Sequence, residues 1–342
     1  MINQVKLGRT GIFSPKNAFG ALPIQRVDKE YAAKLLNKAY DAGFRFFDTA
    51  RGYSDSEEKL GYALGGVRHD IIIATKSPAQ NAEQFLKDIE TSLKTLKTDY
   101  LDIVQFHTPP FCPRPGDESG LYDAALEVKK QGKIRHIGIS NHRLHVAEEA
   151  VRSGLYDTLQ FPFSYLSDQK DVDLVKLCGE MDVGFIAMKA LSGGLINKSD
   201  AAFAWLDQFK NVLPIWGIQR ESELDEFISF FENPPVMDAR ITSIVDKDRS
   251  ELVGNFCRAC SYCMPCPAGI RIFNCARMSQ LIRRMPSAEL LGDEWREAMF
   301  NIENCTECGQ CKEKCPYDLN TISLLKANLA DYKDILSGKV RI

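Results

Sequence analysis

Eight short apolar runs, each followed by an amphipathic stretch of helical length, constrain this chain more than any other feature. They are AFGAL (18–22), FRFFDT (44–49), IIIATK (71–76), DIVQFH (102–107), RHIGIS (135–140), TLQFPF (158–163), GFIAMK (184–189) and LPIWGI (213–218). The runs show little polar alternation, as expected of strands covered on both faces. Strand–helix alternation calls for a parallel sheet. Eight such units within about 240 residues fit a (β/α)8 barrel. An open doubly wound sheet would alternate in the same way, but no G-x-G-x-x-G follows the first run. The motif LGRTGI, ahead of that run, reads as a short hairpin plugging the bottom of the barrel.

Between the runs, NAEQFLKDIETSLKTLKTDY is the clearest helix. Phe85, Ile89, Leu93 and Leu96 share one face, and Asn81 is the expected N-cap, with Gln84 three residues on. Gly43, Gly132, Gly154 and Gly184 stand where helix C-caps belong. At 232–238, ENPPVMD interrupts the alternation with two prolines. We therefore divide the chain into a barrel domain, 1–236, and a small, mostly helical domain, 237–342. The fold class is α/β with that helical appendage.

The 342 residues are 44% apolar and 26% charged, with a net charge of −3. That balance describes a globular protein and gives no reason to expect nucleic acid or an anionic membrane as partner. No apolar run is long enough to cross a bilayer, and MINQVKLGRTGIFSP lacks a signal core. The expectation is a cytoplasmic protein.

In a (β/α)8 barrel, chemistry gathers at the carboxyl ends of the strands. There the sequence places Asp48, Lys76 and His107 on three consecutive strands, with Tyr53 five residues beyond Asp48. A phenol is a poor acid near neutrality, with a pKa of about 10. A nearby ammonium favours the phenolate, and a carboxylate holds that ammonium charged. An imidazole can orient a carbonyl oxygen. Together these groups suit protonation of a carbonyl while hydride arrives at its carbon.

LGRTGI, FDTARGYSDSEEKLGYAL, ATKSP, LDIVQFH, GKIRHIGISNH and LQFPFS resemble the aldo-keto reductase superfamily, over residues 1 to 230 or so. The resemblance implies an oxidoreductase using NADPH or NADH on a small carbonyl or alcohol, with Asp48, Tyr53, Lys76 and His107 as catalytic tetrad. It implies that Ser140, Asn141 and Gln160 hold the nicotinamide carboxamide. It also implies that Ser192 and Gly193 in ALSGGL, and Gly217 and Arg220 in GIQRESELDE, bind the rest of the dinucleotide. Two departures stand out. Met188 occupies a position where many relatives stack an aromatic ring, and Arg220 is the only base in the last loop.

Nine of the eleven cysteines lie after residue 256. In a reducing compartment such density points to metal rather than disulfides. The runs are Cys257-x2-Cys260-x2-Cys263-x2-Cys266-Pro and Cys305-x2-Cys308-x2-Cys311-x3-Cys315-Pro. The second matches the bacterial ferredoxin spacing for [4Fe–4S] clusters, whose fourth cysteine ligates the other cluster. The expected sets are Cys257, Cys260, Cys263 and Cys315 for one cluster, and Cys305, Cys308, Cys311 and Cys266 for the other. Cys275 is a ninth cysteine for eight places, which makes Cys266 the weakest assignment. Four-cysteine zinc sites are a lesser alternative. Cys112 and Cys178 read as unligated barrel residues. The helical insert between the runs resembles the helical ferredoxin domain of succinate dehydrogenase iron–sulfur subunits.

Three readings follow. The clusters are staples beside a carbonyl reductase; or they exchange single electrons with a partner such as a ferredoxin, through a flavin or a radical substrate; or the barrel is a scaffold for an electron-transfer module. Hydride moves electrons in pairs and clusters move them singly, which is why a flavin stays open as a cofactor.

Overall fold

The computed structural model describes residues 3–252, 256–284 and 287–341. Met285, which closes the helical stretch IFNCARMSQLIRRM, lies outside them. A hairpin opens the chain, β1 (Gln4–Lys6) against β2 (Phe13–Pro15). Eight parallel strands then close a barrel: β3 (Ala18–Gly20), β4 (Phe46–Asp48), β5 (Ile72–Ser77), β6 (Leu101–His107), β7 (Ile134–Ser140), β8 (Thr158–Pro162), β9 (Gly184–Met188) and β10 (Val212–Gly217). Each corresponds to one of the eight expected runs, and β10 closes on β3.

Val5 and Leu7 of the hairpin are fully buried with Ala18, Phe46, Ala74, Ile103, Ile186 and Leu213 of the strands. That apolar layer seals one end of the barrel, as the sequence led us to expect. Gly184 has a different role from the one its position suggested. It begins β9, and a Cβ there would lie 2.9 Å from the Leu7 backbone. It is bare so that the hairpin can seat, while Asp182 takes the left-handed turn, with φ 52°.

The outer helices are α1 (Lys29–Asp41), α2 (Ser56–Leu64), α3 (Ala82–Leu96), α4 (Leu121–Lys130), α5 (Leu144–Ser153), α6 (Gln169–Glu180), α7 (Ser199–Asp207) and α8 (Glu221–Glu232). Asn81 caps α3 by accepting from the Gln84 amide at 3.0 Å. The Gln84 side chain reaches past the cap to accept from the Gln80 amide. Phe85, Ile89 and Leu96 are buried on the expected face; Ser92 is buried beside them and donates to Glu57.

The chain divides into two compact units: Met1–Ala190 with Ser199–Ile241, and Leu191–Lys198 with Thr242–Ile342. This differs from a single cut at 236/237 in two segments: 237–241 stays with the first unit, and Leu191–Lys198 leaves it. Leu191–Lys198 goes with the cysteine-bearing unit, because Arg284 donates to the Leu195 carbonyl at 3.1 Å and Arg277 to that of Gly193 at 3.0 Å.

After α9 (Ala239–Leu252), the second unit is built from α10 (Ile272–Cys275), α11 (Met278–Arg284), α12 (Ser287–Leu290), α13 (Asp293–Phe300), α14 (Gln310–Glu313) and α15 (Thr321–Leu336). The long α15 packs on α10, α11, α13 and α14. Its Asn328 takes the Ser279 amide and gives to the Ala276 carbonyl, and its Tyr332 hydroxyl donates to Leu290. No helix among the described residues is long and apolar enough to cross a membrane.

Candidate active site and cysteine-lined hollows

Asp48, Tyr53, Lys76 and His107 come together at the carboxyl ends of β4, β5 and β6. The Lys76 ammonium, 1% exposed, donates to both Asp48 oxygens and to the Thr49 carbonyl, each at 2.7 Å. It also lies 5.1 Å from the centre of the Tyr53 ring. The His107 ring meets Tyr53 edge-on, with centroids 5.8 Å apart. A buried ammonium needs a full set of acceptors, and the bidentate carboxylate supplies most of it.

The electrostatics sort the roles. Burial pushes the His107 imidazole down to about 3, and the Lys76 charge adds to that. The ring is therefore neutral across the physiological range and can orient an oxygen without protonating it. Burial holds the Tyr53 phenol above its ordinary value; Lys76 opposes the shift and Asp48 adds to it. This differs from the sequence argument, in which the lysine alone makes the phenol acidic. Asp48 neutralises the ammonium that would have done so. Tyr53 thus stays protonated and available as a donor.

Beneath this group is a residue that the sequence reading passed over. Gln105, fully buried on β6, donates to Gln160 Oε1 at 2.7 Å, and the Gln160 side chain hydrogen-bonds Asp48. The signal was present: a glutamine inside the apolar run DIVQFH. Gly138 makes room for it, since a Cβ there would lie 3.0 Å from Gln105.

The expected nicotinamide residues divide. Ser140 lies beside both His107 and Gln160 in the barrel register, and its hydroxyl makes only a 3.4 Å bond to the Phe106 carbonyl. Asn141 donates to Pro109 and accepts from the His142 and Arg143 amides. Gln160 is hydrogen-bonded to Gln105 and Asp48. Met188, half-buried at the end of β9, packs on the barrel core. Gly217 ends β10, and Arg220 precedes α8, where the Glu223 carboxylate accepts from the Gln219 and Arg220 amides. Gln219 Oε1 is buried with no hydrogen-bond partner among the described residues. A nucleotide hydroxyl or amine fits that orphan acceptor. Ser192 and Gly193 belong to the segment grouped with the second unit.

In the second unit the cysteines line two small hollows. Cys257, Cys260, Cys263 and Cys315 line the first, with Cys311; Cys266, Cys305, Cys308 and Cys311 line the second, with Cys263. Ile272 contributes to both walls. The two runs share a backbone signature. Ala259 and Ser261 in one, and Glu307 and Gly309 in the other, have positive φ at equivalent positions. Left-handed residues thus separate successive cysteines in both runs, although among the described residues no three cysteines lie close enough together to hold a metal ion. Cys275 lines neither hollow; it is fully buried and donates to the Ala298 carbonyl. Cys112 and Cys178 are buried in the barrel unit, apart from both.

The Aldo/keto reductase family pattern matches residues 16–202, and a 4Fe-4S dicluster domain matches 256–320. The chain is 35% identical to methylglyoxal reductase DkgB of Salmonella typhi over 174 residues, 47% of this chain and 63% of that one. It is 30% identical to L-galactose dehydrogenase of Arabidopsis thaliana over 211 residues, 56% of this chain and 66% of that one. The matches thus span just under two thirds of these relatives. Among solved structures, aldo-keto reductase AKR11C1 from Bacillus halodurans, in its holo form, aligns with a TM-score of 0.64 at 20% identity, covering 74% of this chain and 98% of that one. The Klebsiella pneumoniae aldo-keto reductase in complex with NADPH aligns with a TM-score of 0.62 at 21% identity, covering 72% and 95%.

Proposed function

The chain belongs to the aldo/keto reductase family, and on that footing we propose that its barrel reduces a small carbonyl substrate with a nicotinamide cofactor, with Tyr53 as the proton donor. The observation that carries this reading is the buried Lys76–Asp48 pair set against the Tyr53 ring and the neutral His107. The bound nicotinamide would supply hydride to the carbonyl carbon. His107 would hold the carbonyl oxygen, and Tyr53 would give it a proton. Lys76 would stabilise the phenolate left behind, held in place by Asp48. Ser140, Asn141, Gln160 and Met188 would seat the nicotinamide, and Gln219 offers the orphan acceptor. The Glu223 carboxylate at the start of α8 occupies amides that would otherwise favour an added phosphate, which supports NADH at least as well as NADPH.

In the second unit we assign one [4Fe–4S] cluster to Cys257, Cys260, Cys263 and Cys315, and a second to Cys266, Cys305, Cys308 and Cys311. Each set lines one of the two hollows, which supports the pairing, and the clusters would supply one-electron capacity. A second reading has them passing electrons from a ferredoxin-like partner. The shared walls at Cys263, Cys311 and Ile272 favour it, because adjacent clusters make a relay.

The test uses protein purified without oxygen, with iron and flavin counted. NADH or NADPH is then added with methylglyoxal as a probe carbonyl. Cofactor oxidation that needs the carbonyl supports reductase action. Bleaching of cluster absorbance without carbonyl, in protein carrying flavin, favours the relay. Neither response overturns both.

A further inference from the structure

Arg277 is buried, only 7% exposed. No carboxylate lies within ion-pair distance of its guanidinium among the described residues. Its hydrogen bonds run only to carbonyls: Nε to Phe273 at 3.2 Å, and Nη1 to Gly193 at 3.0 Å and Ser192 at 3.4 Å. The Cys257 Sγ reaches the same Phe273 oxygen, at 3.9 Å. Thiol and guanidinium are therefore neighbours. The seat is built for the cation: Gly193 has φ +64°, and a Cβ there would lie 2.9 Å from Nη1.

A buried cation is costly without an opposite charge. Arg284, also packed into this unit, has such partners in Asp248 and Glu251. The hollows also differ. Arg258 lines the one at Cys257, stacked on Tyr317, whereas the twin has no charged residue besides its cysteines. Four thiolates around a [4Fe–4S] core give a net negative site that becomes more negative on reduction. A fixed neighbouring cation stabilises the reduced form more than the oxidised one.

We propose that Arg277 is the built-in counter-cation of the cluster held by the Cys257 run and raises that cluster's reduction potential. This rests on the reading that Cys257, Cys260, Cys263 and Cys315 carry a [4Fe–4S] cluster. The electron comes from any one-electron donor, which is oxidised as the cluster is reduced.

The experiment is a dithionite titration of the anaerobic holoprotein, followed by electron paramagnetic resonance, with iron counted in each sample. In Arg277→Gln one of two cluster signals should become at least tenfold harder to reduce, 59 mV for a one-electron couple. The other should stay in place. Arg277→Lys keeps the charge but cannot reproduce the three-carbonyl geometry, and should titrate like the native protein. Unchanged potentials in Arg277→Gln, or equal shifts of both signals, overturn the proposal. So does a lysine variant that behaves like the glutamine one, since Arg277 would then be a loop clasp only. If the glutamine variant loses iron, retention by the lysine variant supports the charge and loss by both refutes it. Native protein without cluster signals refutes the underlying assignment instead.

Discussion

Tyr53 is held protonated by burial, and His107 is held neutral by burial and the Lys76 charge. The signs fix a pH profile for carbonyl reduction. A donor whose pKa is raised works below that value and fails only as pH climbs through it, above the ordinary phenol value of about 10. The imidazole stays neutral at every pH above about 3. Turnover per unit substrate should therefore be flat between about pH 5 and pH 9; a limb near neutrality that vanishes in His107→Asn would contradict this. The Lys76–Asp48 pair makes a second prediction. Lys76→Met leaves a buried carboxylate unpaired and should cost about 3–5 kcal/mol in urea unfolding, much of it recovered by adding Asp48→Asn. Equal stability of the single and double variants would sink that account. At this scale the nearness of Asp48, Tyr53, Lys76 and His107 was legible because each sits at or just past the end of a strand. What the sequence concealed was the surrounding network: only the folded backbone shows Asn141 bonded to Pro109, and Gln160 to Gln105 and Asp48.

At the scale of elements, the strands were legible because covered parallel strands are apolar throughout, a pattern that survives without long-range information. Helix ends were less so. Gly184 shows why: a glycine after a helix can serve the next element, and its reason here is the Leu7 backbone brought in from 177 positions earlier in the chain. Gly184→Ala should cost about 1–3 kcal/mol by overpacking, measured in the same urea experiment, whereas Gly132→Ala, with open space around its Cβ, should pay only for its positive φ. A silent Gly184→Ala would mean that the hairpin is not seated as described. The paired cysteine runs sit at this scale too. Their spacing announced iron–sulfur chemistry, but the matching left-handed residues at Ala259, Ser261, Glu307 and Gly309 could not be read from three non-glycine side chains.

For the whole molecule, the cut proposed at ENPPVMD and the division by packing differ. Leu191–Lys198 goes with the second unit through Arg277 and Arg284, two arginines 80 to 90 positions away. Charges that act across such separations leave no local pattern. The second unit also contains two cysteine-lined hollows, so its stability should depend on what fills them. Chelating iron from the anaerobic protein should lower the temperature at which helical signal from this unit is lost and leave the barrel's transition in place. One transition, unmoved by chelation, would contradict the division.

The central claim is proton donation by Tyr53, and the most direct measurement is single-turnover reduction of a small carbonyl by Tyr53→Phe beside the native protein. Loss of the phenolic hydroxyl alone should slow the chemical step by about 10²–10⁴-fold, with cofactor binding and iron content unchanged. A variant that turns over within a fewfold of the native rate would show that the proton comes from elsewhere.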